Sequence, residues 1–171
     1  MMPPGFLRGP EWKYGSTPAI LGDLLRRASH ETPLNQLVWL DSCGRATVST
    51  YADLVADSEY ILLGLQMSGL VPGDVVLFQL PHHADFIAAL WACFLGGFVA
   101  LPVATPPDYS ESSSQLENFC HACGIQPEPY VLTDRKTASL LRSFRTATPK
   151  HQNQVILIDD LRNTEGHPLW H

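Results

Sequence analysis

The stretch from Val71 to Pro107, VPGDVVLFQLPHHADFIAALWACFLGGFVALPVATPP, limits the possible folds more than any other part of the chain. Val75 to Leu80 reads as a strand buried on both faces. From Ala84 to Leu95, large Phe86, Ile87, Leu90, Trp91 and Phe94 are interleaved with small Ala88, Ala89 and Ala92. A helix apolar nearly all round must be covered on several sides, deep in a layered core. Gly96-Gly97 stops that helix, Phe98 to Val103 supplies a second strand, and Pro106-Pro107 acts as a brake. Strand, buried helix and strand in this order form a βαβ unit, so the two strands are expected to pair in parallel.

The flanking segments extend the same alternation. Residues 1–16 are rich in Pro and Gly without a period, which predicts an irregular leader ahead of a domain over 17–171. Thr17-Pro18 reads as an N-cap and first-turn proline for a helix to about His30, with Ile20, Leu21, Leu24, Leu25 and Ala28 on one buried face. Gln36 to Asp41 and Ala46 to Thr50 flank Ser42-Cys43-Gly44-Arg45 and read as a hairpin. Tyr51, Leu54, Val55, Ser58, Ile61, Leu62 and Leu65 recur at amphipathic spacing up to Gly69. Beyond Val103, a polar loop leads to a helix through Leu116, Phe119, Cys120 and Cys123 that ends at Gly124. A strand over Tyr130 to Thr133 follows, then a helix marked by Ala138, Leu141 and Phe144, with Arg142 and Arg145 toward its C-terminal end. Val155 to Ile158 is the last predicted strand, running into Asp159-Asp160. The predicted fold class is α/β, a mostly parallel sheet flanked by helices on both faces.

Composition narrows the partners. An apolar fraction of 45% over 171 residues suffices for one domain's core. The formal charge is −6, and the eleven Lys and Arg are scattered, not massed in the stripe a nucleic acid requires. No apolar run approaches the roughly 20 residues of a bilayer span. The opening Met1-Met2-Pro3-Pro4-Gly5-Phe6 does not read as a secretory signal. Cys43, Cys93, Cys120 and Cys123 fall mostly within predicted apolar elements, as reduced thiols do, so a cytoplasmic location is expected.

The candidate chemical motifs each have a structural reading. His82-His83-x-Asp85 has the residue types of a general base or a metal site, yet Pro81 to Asp85 also opens the buried helix, where Asp85 suits the positive N-terminal end. Cys120-x-x-Cys123 is half of a zinc motif without its second pair. Both sulfurs share a helical face with Leu116 and Phe119, so buried, metal-free cysteines are expected. Gly96-Gly97 and Gly69-x-x-x-Gly73 do not have the spacing of a phosphate cradle, and no Gly-x-Ser-x-Gly elbow occurs. His121, His151, His167 and His171 stand alone and read as solvated.

At Ser49-Thr50-Tyr51-Ala52-Asp53-Leu54 the chain resembles the first core motif of adenylation domains, L-T-Y-x-E-L. Phe94-Leu95-Gly96-Gly97-Phe98-Val99-Ala100-Leu101-Pro102-Val103 is similar to the second, L-K-A-G-x-A-Y-L-P. Val71 to Val76 resembles the G-V-x-x-G-D-x-V approach to the buried strand, and Pro81 to Leu90 the P-N-S-x-E-F-I-x-A-x-L that follows it. Tyr130 to Asp134 and Val155 to Asp159 sit where that family has short strands before its phosphate loop. Asp53 stands for the usual Glu, and Gly97-Phe98 departs from Gly-x-Ala-Tyr. The order of motifs holds across roughly residues 18 to 160.

The family is the acyl-CoA synthetase, peptide-synthetase adenylation domain and luciferase superfamily. The resemblance implies ATP-dependent activation of a carboxylic acid as acyl-AMP. Transfer to CoA or to the phosphopantetheine thiol of a carrier protein would follow, in secondary-metabolite or lipid biosynthesis. The strand ending at Pro102-Val103 and leading to Pro106-Pro107 is similar to that of fatty acyl-AMP ligases and loading modules of nonribosomal peptide and polyketide synthases. In this family the Ser/Thr/Gly-rich phosphate loop, the magnesium-binding acid, the ribose-binding Asp and the C-terminal catalytic Lys all lie after the segment represented here. No catalytic, cofactor-binding or metal-binding residue is therefore expected, although ATP and Mg are expected of a parent enzyme. The chain reaches Trp170-His171 without a stop signal, which predicts a partial subdomain, inactive alone. Expected partners are the remainder of the adenylation domain and a carrier protein, with self-association through exposed apolar surface. A degenerate scaffold or docking module of a megasynthase, and a free-standing α/β ligand-binding domain, are the alternatives.

Overall fold

Six helices and six strands alternate through the computed structural model, which describes residues 20–41, 43–107, 109, 113–125, 129–147 and 154–163. In chain order they are α1 (Leu21–Glu31), β1 (Gln36–Leu40), β2 (Ala46–Thr50), α2 (Tyr51–Met67), β3 (Val75–Gln79) and α3 (His83–Gly96). Then come β4 (Val99–Pro102), α4 (Ser114–Ile125), β5 (Tyr130–Thr133), α5 (Arg135–Ala147), β6 (Val155–Leu157) and α6 (Ile158–Leu161).

Strands β3 to β6 form a four-stranded sheet in the order β4-β3-β5-β6, with every pairing parallel. The β1–β2 hairpin is antiparallel and forms a separate two-stranded sheet. Alternation along each central strand divides the core between the two faces. Val76 and Phe78 of β3, Leu132 of β5 and Ile156 of β6 pack with α1, α2 and α3, while Leu77 and Val131 pack with Phe119, Ala122, Cys123 and Leu141 of α4 and α5. Helices therefore cover both faces, as the β/α alternation requires.

Local chemistry sets the boundaries. Thr50 ends β2 and caps α2. Its hydroxyl accepts the Asp53 N–H at 3.1 Å, while the Asp53 carboxylate accepts the Thr50 N–H at 2.8 Å, closing a capping box. The predicted amphipathic stripe of α2 holds only for its first half. From Ile61 to Leu65 five consecutive residues are buried, because α1, α3 and α6 all lie against this end. In α3 the small residues Ala88, Ala89 and Ala92 are buried, whereas Phe86, Ile87, Leu90, Trp91 and Phe94 are half-buried. The helix stops at Gly97, whose φ of 68° is left-handed and suits glycine.

Three elements depart from the sequence reading: α1, α4 and β6. α1 begins at Leu21 after an extended Ile20 that makes no side-chain cap, while Thr17 and Pro18 lie outside the described residues. Its predicted face is only partly covered: Leu25 is buried, but Ile20, Leu21 and Leu24 are exposed. Gly124 lies within α4. Strand β6 stops at Leu157 because the chain turns helical at Ile158, which buries Ile158 and Leu161 against the helices of the first layer.

Helices α2 and α6 approach closely at Gly64. A Cβ there would lie 2.7 Å from the Leu161 Cβ and 2.8 Å from its Cα, so backbone would have to move. Gly124 has nothing within 4 Å of its virtual Cβ. Gly64→Ala should cost about 1–3 kcal/mol through overpacking. Gly124→Ala should be neutral or gain about 0.5–1 kcal/mol from helix propensity. Denaturant melts of the two variants check this, and equal midpoints would contradict the packing argument.

Candidate functional site at the carboxyl ends of the parallel strands

Because the chain steps from β3 outward to β4 and then crosses back to β5, the sheet reverses its winding between β3 and β5. In open α/β sheets, ligands bind in the crevice outside the carboxyl ends of the strands at such a reversal. Here that position is built by Gln79 at the end of β3 and Thr133 at the end of β5, which are paired in register.

Both side chains are fully buried and hydrogen-bonded within the chain. Thr133 Oγ1 donates to the Gln79 carbonyl at 2.9 Å. Gln79 Nε2 donates to the carbonyls of Phe78 at 2.9 Å and Val103 at 3.0 Å. The Tyr109 hydroxyl donates to Gln79 Oε1 at 2.6 Å. Its ring is buried edge-on to Phe119, and burial, with the Asp134 carboxylate nearby, pushes the phenol well above its ordinary range. Asp134 accepts the Thr137 N–H at 2.6 Å and caps α5. The crevice is thus filled by a satisfied polar network.

Two open clefts flank it. One, of about 360 Å³, is lined mainly by Phe78, Leu80, Phe86, Pro102 and Val103, with His83 at its edge. The other, of about 620 Å³, lies between Trp39, Asp41 and Thr47 of the hairpin and Pro81, His82 and His83.

The sequence candidates are dispersed. His82 and His83 are exposed, and His82 occupies the N-cap of α3 without a side-chain cap bond. Asp85 is engaged by Arg162 Nη2 at 2.8 Å. Cys123 is buried, but Cys120 is half-buried, a partial correction to the expectation for that pair; both pack in the α4–α5 core layer. His121 is exposed, and His151, His167 and His171 lie outside the described residues. No group of three His, Cys, Asp or Glu side chains among the described residues could hold a metal. Asp57 and Asp85 are committed to Arg162, and Asp134 caps a helix. Gln79, Tyr109, Thr133 and Arg162 were not singled out from sequence. The one available signal was Gln79, a lone amide in an otherwise apolar strand.

No protein-family model matches the chain. It is 31% identical over 119 residues to the 2,3-dihydroxybenzoate-AMP ligase of Bacillus subtilis, covering 67% of this chain and 21% of that protein. It is 29% identical over 132 residues to atromentin synthetase invA2 of Paxillus involutus, covering 75% of this chain and 14% of that one. The solved structure of McyG A-PCP complexed with phenylalanyl-adenylate superposes with a TM-score of 0.82 at 27% identity, covering 92% of this chain and 29% of the other. Fold and sequence match the N-terminal domain of adenylate-forming ligases. The chain spans about a seventh to a fifth of the length of the two curated relatives.

The motifs that carry the resemblance do structural work in this chain. The first supplies the Thr50–Asp53 capping box, in which Asp53 reaches the bond despite being one methylene shorter than Glu. The second supplies the end of α3: a Cβ on Gly96 would lie 2.5 Å from Leu62 Cδ1 and 2.7 Å from Phe98 Cε2, and Gly97 takes the left-handed turn. No helix among the described residues is long and apolar enough to cross a membrane.

Removing the Tyr109 hydroxyl would leave a buried Gln79 acceptor without its donor. Tyr109→Phe should therefore cost about 1–3 kcal/mol, read as a lower unfolding midpoint, and an unchanged midpoint would count against the network. Thiol reactivity should follow exposure. Burial raises the Cys93 thiol from 9.0 to about 12, so it stays protonated and unreactive at pH 8. Alkylation followed by mass spectrometry should label exposed Cys43 first, half-buried Cys120 slowly, and Cys93 and Cys123 only on unfolding.

Proposed function

We propose that the chain forms the N-terminal part of an ATP-dependent ligase that activates a carboxylic acid as acyl-AMP. Transfer to a carrier-protein phosphopantetheine thiol or to CoA would follow. The observation that carries this reading is the pairing of the β4-β3-β5-β6 architecture, shared with an adenylate-bound structure, with a crevice closed by Gln79, Tyr109 and Thr133. A subdomain whose own ligand crevice is filled acts as framework, and the phosphate and metal groups are supplied by other parts of the enzyme. Phosphoryl and adenylyl chemistry depends on positioned cations and donors, which this reading assigns to the rest of the enzyme.

The relatives' names fit this reading: one is an AMP ligase for an aryl acid, and the solved structure holds an aminoacyl-adenylate. The hairpin face carrying exposed Val38, Leu40 and Val48 is the surface to be covered, by the remainder of the domain or by self-association.

ATP–pyrophosphate exchange tests the reading. The purified 171-residue chain should catalyse no exchange with any carboxylic acid and bind ATP no tighter than roughly millimolar. Exchange should appear when it is joined in frame to the sequence that follows it, provided that sequence carries a T-S-G-S-T-G-x-P-K-G segment. Robust exchange by the chain alone would overturn the framework role. Its absence from the joined protein would favour the scaffold module.

A further inference from the structure

The turn α6 has only four residues, yet it is fastened from several directions. Ile158 and Leu161 are buried, and Leu161 rests on Gly64 of α2 at a distance that admits no Cβ. Asp160 pairs with Arg135 of α5 at 2.8 Å. Arg162, the residue after α6, grips two helices. Its Nε and Nη2 donate to the two carboxylate oxygens of Asp57 on α2 at 2.6 and 2.8 Å. Its Nη2 also reaches Asp85 Oδ1 on α3 at 2.8 Å. The Arg162, Asp57 and Asp85 side chains are 29%, 33% and 18% exposed, so solvent screens this cluster less than it does a fully exposed pair.

These contacts perform two different tasks. Apolar burial of Leu161 fixes how near α6 lies to α2 but is non-directional. The bidentate fork on Asp57, braced by Asp85, fixes orientation, because planar paired hydrogen bonds carry geometric specificity. Strands β3, β5 and β6 run parallel, so α6 leaves the sheet at the same edge as the Gln79–Thr133 crevice.

We propose that Arg162, held by Asp57 and Asp85, is a positioning residue that sets the direction in which the chain leaves the carboxyl edge of the sheet. This rests on the proposed function, in which the segment that follows supplies the phosphate-binding loop. Arg162 would then govern how that loop meets ATP without touching ATP itself, and small misplacements of such groups are costly.

Two measurements test it. In hydrogen exchange on the 171-residue chain, Arg162→Gln should speed exchange of the amides of residues 158–163 by about tenfold, while β3 and α3 amides stay within about twofold. Asp85→Asn, which leaves the Asp57 fork intact, should show a smaller effect confined to the same amides. Acceleration across the whole chain, or none, overturns the anchor. In the joined protein, Arg162→Gln should raise KM for ATP about tenfold with KM for the acid within about twofold, and Arg162→Lys, which keeps the charge but loses the fork, should fall between. A fall in kcat with both KM values unchanged overturns the positioning role. If the wild-type joined protein gives no exchange, the ligase reading fails and the loop-directing role falls with it, while the hydrogen-exchange result still decides the anchor.

Discussion

Strand β3 is the member on which the remaining layers depend. It is hydrogen-bonded to β4 on one side and β5 on the other, and four of its five residues are buried. Val76 and Phe78 face one helical layer and Leu77 the other, so a single extended pentapeptide contributes to both cores. Phe78 meets Phe86 edge-on with ring centroids 5.6 Å apart, which sets α3 over the sheet. The α2–α3 packing follows from there through Leu62 against Gly96. Loss of β3 would leave β4 detached from β5 and both helical layers without a common surface.

Much of this was legible from local pattern. The hairpin, α2, α3 and the four parallel strands each carry a period, a cap or a glycine stop that chemistry ties to one conformation. The departures are tertiary. Nothing in Ile20-Leu21-Leu24 says that their face would stay exposed, because covering depends on chain far away in sequence. Val-Ile-Leu-Ile is apolar throughout and so reads as strand to its end, and only burial against α2 decides where extension stops. The burial of five consecutive residues in α2 likewise needed the positions of three partner helices.

The polar side chains at the carboxyl edge were harder to find than the motifs, and the reason is physical. Family motifs are contiguous, whereas the Gln79–Tyr109–Thr133 network joins residues 30 and 54 positions apart. The Arg162–Asp57 pair spans 105 positions. His82 and His83 are chemically versatile residue types, yet both lie exposed, and versatility is not placement. A lone buried Gln in an apolar strand was the more informative residue: a buried amide must find partners, and its partners define the edge.

The junction at Thr50 has a mechanical meaning. The residue that ends β2 is the residue that caps α2, and the next one, Tyr51, donates its N–H to the Asn35 carbonyl just ahead of β1. No loop intervenes between ribbon and rod, so there is no slack at the joint. Force applied to the tip of the hairpin is borne by the first turn of α2 and passed along a rod whose far end is embedded among α1, α3 and α6. The hairpin is a lever joined without a spacer to a helix that is rooted in the core.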